Sequence, residues 1–545
     1  LVVELDPNYP LPESIAEDLA AGPVERSPEQ LLRDALAARR FEQAEATLEL
    51  GDARALASSQ LRDFVLEADL DVFDWLLAHG ADPEVRAAGE DTLAMSLLDR
   101  GGSGTGALQR LLDRAIPVAG AGGLARYLHA CMLSETSARS REQLALSLLD
   151  RGADPFATVV GTPPLHFAIR LGWLRLAERL LASGIAPDAR DGRGITALQL
   201  ACTLGREAAV RLLVCAGASP DARTPTGETA LGIALAAERS DLVAWLDWRG
   251  WRLPLRPLHP TDLPAAAMVG DAGAVRRLLD LGMPIDTVDA QGCTALLRAA
   301  GSGHLVVVGM LLQRGADKSI ASNTGATALT AAISMRHPQI VEMLLAQGAV
   351  VDRPLPGGVT PLMLASALGL PDMVSRLLAK GADIALHDDR GLGALHCACS
   401  YAFQAHDRQR VLALLDDLLL NGAAIEAAAN NGQTPLLALL GAGADSGAAG
   451  DEDVIAAALE RLLGENASLE ARDARGFTAM HLTGMHGLGR IAQRLIDAGA
   501  DRRPRDKLGR TPYDLALQHG YADVAAEFEP LRSAAPPLPR IARRE

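Results

Sequence analysis

His396-Cys397-Ala398-Cys399 groups three side chains of the types that bind metals. Thiolates and imidazoles are zinc ligands, but a site needs them to converge on one ion. On a helix, residues two apart point to roughly opposite sides, so Cys397 and Cys399 do not share an ion. No second Cys/His pair stands at zinc-type spacing, and the cluster reads as packing of small side chains. Cys131, Cys202, Cys215 and Cys293 complete the six cysteines, most of them at core-like positions of expected helices. That pattern fits free thiols in a reducing compartment, and the chain is expected to be cytoplasmic. No Gly-rich phosphate loop, Ser/His/Asp set or paired-carboxylate motif stands out. The many Asp residues fall in turn-rich stretches, where Asp is a turn former. The expectation is a chain without catalytic residues, metal or cofactor, and not an enzyme.

Charge narrows the partners. The net charge is −16 over 545 residues, opposite to the basic face of a nucleic-acid binder. Short clusters such as Arg502-Arg503-Pro504-Arg505 are the local exceptions. No apolar run approaches the length that crosses a bilayer, so no membrane insertion is expected from this sequence. The start, Leu1-Val-Val-Glu-Leu-Asp6, lacks Met and any signal-like pattern, which reads as a fragment or processed form. The Ala-, Leu-, Arg- and Gly-heavy, Lys-poor composition fits a GC-rich bacterial source.

The elements that carry these residues recur. A Gly following a Leu-Leu run falls at Gly184, Gly217, Gly250, Gly282, Gly315, Gly348, Gly381 and Gly499, mostly about 33 residues apart. Thr-x-Leu, with Gly two residues before the Thr, keeps the same beat at Thr196, Thr229, Thr294, Thr327 and Thr360, then at Thr434, and the Gly-x-Thr returns at Thr478 and Thr511 with Met480 and Tyr513 in the Leu place. A complete unit is Gly358-Val-Thr-Pro-Leu-Met-Leu-Ala365 followed by Met373-Val-Ser-Arg-Leu-Leu-Ala-Lys-Gly-Ala-Asp383. Thr360 is placed to cap a first helix with Pro361 at its first position. Leu362, Ala365, Leu377 and Leu378 give each helix one apolar face. Gly381 suits the left-handed position that ends a helix. The polar, turn-rich Asp383–Gly391 stretch predicts a projecting hairpin.

These motifs closely resemble the ankyrin repeat. Its Thr-Pro-Leu-His-x-Ala signature is nearly intact at Thr162-Pro163-Pro164-Leu165-His166-Phe167-Ala168, with one inserted Pro, and Thr511-Pro512-Tyr513-Asp514-Leu515-Ala516 matches a closing repeat. The resemblance is strong over residues 150–530 and weak over 27–150. It implies an all-α solenoid of about fifteen helix-turn-helix units with projecting hairpins. It also implies that His166, His396 and His481 bridge neighbouring turns by hydrogen bonds.

Departures from the period set the organisation. Residues 1–26 read as a Pro-rich linker or arm, 27–252 as N-terminal repeats, 253–530 as C-terminal repeats and 531–545 as a disordered tail. Inserts lie near 401–410 and 441–453. The second is a Gly/Ala loop, and the two are expected on one edge of the stack. Trp245-Leu-Asp-Trp-Arg-Gly-Trp251 and the Pro-rich run to Pro260 read as a joint. There Trp245 takes a core Leu position, Trp248 an exposed one, and Asp262 replaces the capping Thr. Packing on the Pro-rich joint is favoured for Trp248 and Trp251 over a partner-anchoring role. Pro536-Pro-Leu-Pro-Arg540 resembles a polyproline ligand, a pattern of low specificity.

The resemblance implies a protein–protein interaction scaffold that binds an unidentified protein partner on a concave face of hairpin tips and first helices. Candidate contact residues are Arg190, Asp191, Arg193, Arg223, Thr226, Asp289, Gln291, Asn323, His387, Asp388 and Asp389, with Trp248 and Trp251 beside them. Their types suggest a gradient from Arg on the N-terminal side to Asp on the C-terminal side. Two further readings stand beside this one: a bacterial effector delivered to a host, and the targeting arm of a larger enzyme or membrane protein.

Overall fold

A computed structural model describes residues 27–529, apart from 67–68, 85–91, 101–104, 115–122, 134–138, 249, 446 and 449. The 1–26 arm and the 531–545 tail, with its Pro536–Arg540 motif, lie outside the described residues. The described residues form thirty helices, taken in pairs, and only isolated β-bridges. The chain divides into two compact units, 1–247 with 253–258, and 248–252 with 259–545.

Each helix pair follows from the repeat chemistry. Thr360 Oγ1 accepts the Met363 N–H at 3.3 Å, and Pro361 opens the helix Pro361–Ala367. At Thr196 the cap is reciprocal: Gln199 Oε1 also accepts the Thr196 N–H at 2.9 Å. Leu362, Ala365 and Leu377 are buried, each fully buried Leu stabilising by about 1.5–3 kcal/mol. The second helix, Pro371–Ala379, closes on Gly381 at φ 85°, where a side chain would be strained. Asn466, at φ 63°, does the same work where Gly is missing. In both units first helices stack on first helices and second on second.

One repeat shows the cost of a single insertion. Pro163 occupies the N-cap of Pro164–Leu171 and donates nothing, since proline has no N–H. In the matching places the Gly393 and Thr478 N–H groups donate to Nδ1 of His396 and His481 at 3.2 and 3.1 Å. Nδ1 of His166 is buried and has no such donor. Pro163→Thr restores both the N–H and a capping hydroxyl. These are worth about 1–2 kcal/mol, less about 0.4–1 kcal/mol of lost proline rigidity in the unfolded chain. A raised urea midpoint is the expected result; an unchanged or lowered midpoint contradicts the assignment.

The joint differs from its sequence reading. The core positions of the helix Ser240–Leu246 are filled by Leu242 and Leu246, and Trp245 lies half-buried outside them. Its Nε1–H donates to Glu207 at 3.1 Å, and Arg211 covers its ring. Trp248 is the buried one, at 9% exposure. It packs edge-on to Trp251 with ring centroids 6.0 Å apart, and the Arg277 guanidinium sits 4.8 Å above it. The helix ends at Leu246 with Asp247 already extended, so Gly250 does not close it. Asp262 does not cap forward either. Its carboxylate reaches back to accept the His259 N–H at 2.7 Å.

The inserts also depart from the expectation of two loops on one edge. The extra residues near 401–410 lengthen helices, giving Ala394–Gln404 and Arg408–Leu420. The first of these carries Phe403 into the core at 2% exposure. The described residues of 441–450 lie outside helices, and the two ends of that segment close on Phe403: a side chain at Gly441 would meet its ring and one at Gly450 its carbonyl. His486 stacks edge-on to Phe403, and its Nε2–H donates to Gly441 O at 3.2 Å.

Candidate functional site

The hairpins between repeats are fastened by their own carboxylates. Oδ1 of Asp191 accepts the N–H groups of Arg193 and Ile195 at 3.0 and 2.9 Å. Asp289, Asp388, Asp473 and Asp506 repeat this pattern with the residues two and four further on. The second oxygen of each of these four meets an arginine: Arg298, Arg390, Arg475 and Arg510 respectively, at 2.7 to 3.2 Å. Thr224 and Ser322 supply a hydroxyl in the same place. Hydrogen bonds to backbone N–H groups favour an ionised carboxyl. Burial pushes Asp289 and Asp506 up, but the hydrogen bonds from Arg298 to the first, from Arg510 to the second and from the backbone N–H groups to both hold them below the usual carboxylate range.

Adjacent hairpins are then tied to one another. In the first unit Arg190 donates to Gly194 O at 2.6 Å and to Arg223 O at 2.8 Å, and Arg223 donates to Gly227 O at 3.0 Å. In the second unit backbone bonds run from Asn323 N to Gln291 O, Asp389 N to Gly357 O, Asn430 N to Arg390 O and Lys507 N to Arg475 O, all at 2.8 to 3.1 Å. Beneath them the signature histidines bridge repeats. The Nε2–H groups of His166, His396 and His481 donate to the carbonyls of Ile195, Gln433 and Arg510 at 2.9, 3.0 and 3.2 Å. Burial lowers the pKa of all three, so they stay neutral donors.

This frame sorts the residues singled out from the sequence. Arg193, Thr226, Gln291, Asn323, His387 and Asp389 are exposed on the tips. Arg190 and Arg223 are exposed but brace the hairpins, and Asp191 and Asp289 are half-buried fasteners. Asp388 is buried. The acidic side of the expected gradient is therefore largely folded inward: a hairpin carboxylate is drawn to the unpaired N–H groups of its own turn. Trp248 is buried and Trp251 half-buried, its N–H donating to Asp271 at 2.8 Å.

Two hollows lie between hairpins and first helices. One, of about 280 Å³, is lined by His129, Met132, Val160, His166, Arg170 and Arg193, among others. The other, of about 440 Å³, is lined by Arg390, Cys397, Tyr401, Gln404, Gln433 and the Gly441–Ala444 backbone, among others. It exists because the 11-residue helix Ala394–Gln404 is followed by a first helix of only 5 residues, Pro435–Leu439. Burial pushes the Cys397 thiol up to about 11, which keeps it protonated and unreactive at neutral pH. Cys399 faces the core, apart from Cys397.

A second set of bridges was missed from the sequence. Arg206, Arg239, His304 and His337, at the start of second helices, donate to the carbonyls of Arg170, Gly205, Met268 and Gly301 in the preceding repeats at 2.8 to 3.2 Å. The signal was present as a basic or imidazole side chain directly after the turn in these four helix pairs, where other pairs carry residues such as Trp173, Asp271 or Leu370.

Family models for ankyrin repeats match residues 135–224, 165–247 and 263–354, and a single ankyrin repeat matches 357–389. The chain is 38% identical over 103 residues to the Neurogenic locus Notch protein of Drosophila melanogaster, covering 18% of this chain and 4% of that protein. It is 26% identical over 142 residues to Ankyrin repeat protein OPG189 of Variola virus, covering 26% and 24%. It is 34% identical over 79 residues to NF-kappa-B inhibitor alpha of Gallus gallus, covering 14% and 25%. The chain thus spans a quarter or less of each of these curated relatives.

Proposed function

We propose that this chain, whose residues 135–247, 263–354 and 357–389 match ankyrin repeats, is a scaffold taking a protein partner on its hairpin and first-helix face, with no chemistry of its own. Ankyrin repeats generally mediate protein–protein interaction. The observation that carries the reading is the fastening of the hairpins. Their carboxylates and backbones are committed to register, and the exposed side chains of Thr226, Gln291 and Asn323 bond to Thr224, Arg298 and Ala290 O within that frame. The exposed side chains of Arg193, His387 and Asp389 project from it. Side chains held on a rigid edge and not needed by the core lose little freedom on binding, which favours affinity. No described helix is long and apolar enough to cross a membrane.

The test begins with a partner isolated by affinity capture on the full chain. Arg193→Glu combined with His387→Ala and Asp389→Lys leaves every hairpin brace in place. Affinity for the partner is expected to fall about tenfold or more, mostly through slower association. Unchanged affinity for this variant, with binding lost on shortening the 441–450 loop, moves the site off the hairpin edge.

A further inference from the structure

Folding the hairpin carboxylates inward leaves an uncompensated charge at the C-terminal end of the second unit. Asp473 and Asp506 are buried and paired with Arg475 and Arg510, whose guanidinium groups also cover the Phe477 ring. Around these neutral pairs stand Arg472, Arg503, Arg505 and Lys507, all exposed. Among the described residues none of the four has a carboxylate within ion-pair distance. Two are pre-aimed by carbonyls: Arg472 donates to Arg505 O at 2.8 Å and Arg505 to Gly509 O at 3.1 Å. A carbonyl fixes a guanidinium without neutralising it, and most of its five N–H donors remain for a ligand. Two carboxylates stand nearby: Asp501 accepts the Arg503 backbone N–H at 3.0 Å without pairing with its guanidinium, and Asp514, next to the Arg505 charge, is engaged by the Thr511 N–H and hydroxyl at 2.8 Å each. Leu508, 75% exposed, adds an apolar contact on the same hairpin.

We infer that this end of the hairpin edge docks an acidic segment of a protein partner, a run of Asp and Glu side chains laid across the last two hairpins. The inference rests on the scaffold reading and names the chemistry of one partner. Guanidinium forks match carboxylates two bonds at a time, and pre-aimed forks lose little freedom on binding. A nucleic acid fits less well. It is held by many phosphate contacts, and this patch offers four cations on a chain of net charge −16 that repels a long polyanion. The nearby ring, Phe477, is buried under its arginines and offers no stacking surface.

The probe is end-capped, fluorescein-labelled octaglutamate, titrated with the full chain by anisotropy at low and at physiological salt. Saturable binding that weakens with salt is expected. Arg503→Glu with Lys507→Glu should lower affinity about tenfold or more, and Arg503→Gln with Lys507→Gln by a smaller factor. Neither pair touches a brace, and Arg193→Glu, on a hairpin of the first unit, should change nothing. No saturable binding, equal loss in the Arg193→Glu variant, or tighter binding of a single-stranded oligonucleotide of equal length overturns the inference. Failure here with the captured partner still lost on changing Arg193, His387 and Asp389 leaves the scaffold reading standing. Failure of both removes it.

Discussion

Trp248→Ala is expected to destabilise the second unit by about 3–5 kcal/mol, the range for emptying a buried aromatic site. Three contacts go at once: the apolar burial itself, the edge-on packing with Trp251 and the Arg277 guanidinium above the ring. The last two are worth about 0.5–1.5 and 0.5–2 kcal/mol in other proteins. Trp245→Ala is the matched control. It loses a half-exposed ring, one hydrogen bond to Glu207 and the Arg211 contact, and about 1–2 kcal/mol is expected. Urea unfolding read by hydrogen exchange in the helices Asp262–Val269 and Ala272–Asp280 separates the two. Destabilisation of those helices by Trp245→Ala as large as by Trp248→Ala contradicts the assignment of Trp248 to their core.

Gly217→Ala is expected to cost about 3 kcal/mol or more, against about 1 kcal/mol for Gly184→Ala. Both glycines end a second helix at positive φ, 87° and 92°, and share the strain a side chain meets there. Around Gly184 there is open space. At Gly217 a methyl group would lie 2.3 Å from the backbone of Arg256. The 253–258 run is laid against that helix end, with Leu258 N–H donating to Cys215 O at 2.7 Å and Pro257 beside Leu212 and Ala216. Backbone does not yield as a flexible side chain does, so the methyl group displaces the run or distorts the turn. Equal effects of the two substitutions on the urea midpoint would show that the run contributes nothing there.

The repeats were legible because each marker has a local cause. Thr360 caps, Pro361 starts and Gly381 stops a helix whatever surrounds it, and the 33-residue beat repeats that logic. Tertiary choices were not legible. Trp245 and Trp248 are three residues apart, and helical spacing gives the core position to the first. Arg277, brought close only by folding, draws in the second. The insert at Tyr401–Arg410 lacks Gly and Pro and is as good a helix as its flanks, yet a period count alone gives it to a loop. For the candidate face, residue type marked the hairpins correctly but not the direction of their side chains. Asp388 and Asp389 are adjacent in sequence; one fastens the turn from inside and the other faces water. That distinction comes from unpaired N–H groups at the turn, which composition does not display.

Partners held by the hairpin edge and not by the second helices leave a distinct pattern in hydrogen exchange of the full chain, compared free and bound to its captured partner. Slowed exchange is predicted in the hairpin segments 190–196, 288–294, 322–327 and 387–393, with Leu305–Gln313 and Pro371–Ala379 unchanged. Protection confined to those second helices, with the hairpins exchanging as in the free chain, would contradict binding at the hairpin edge.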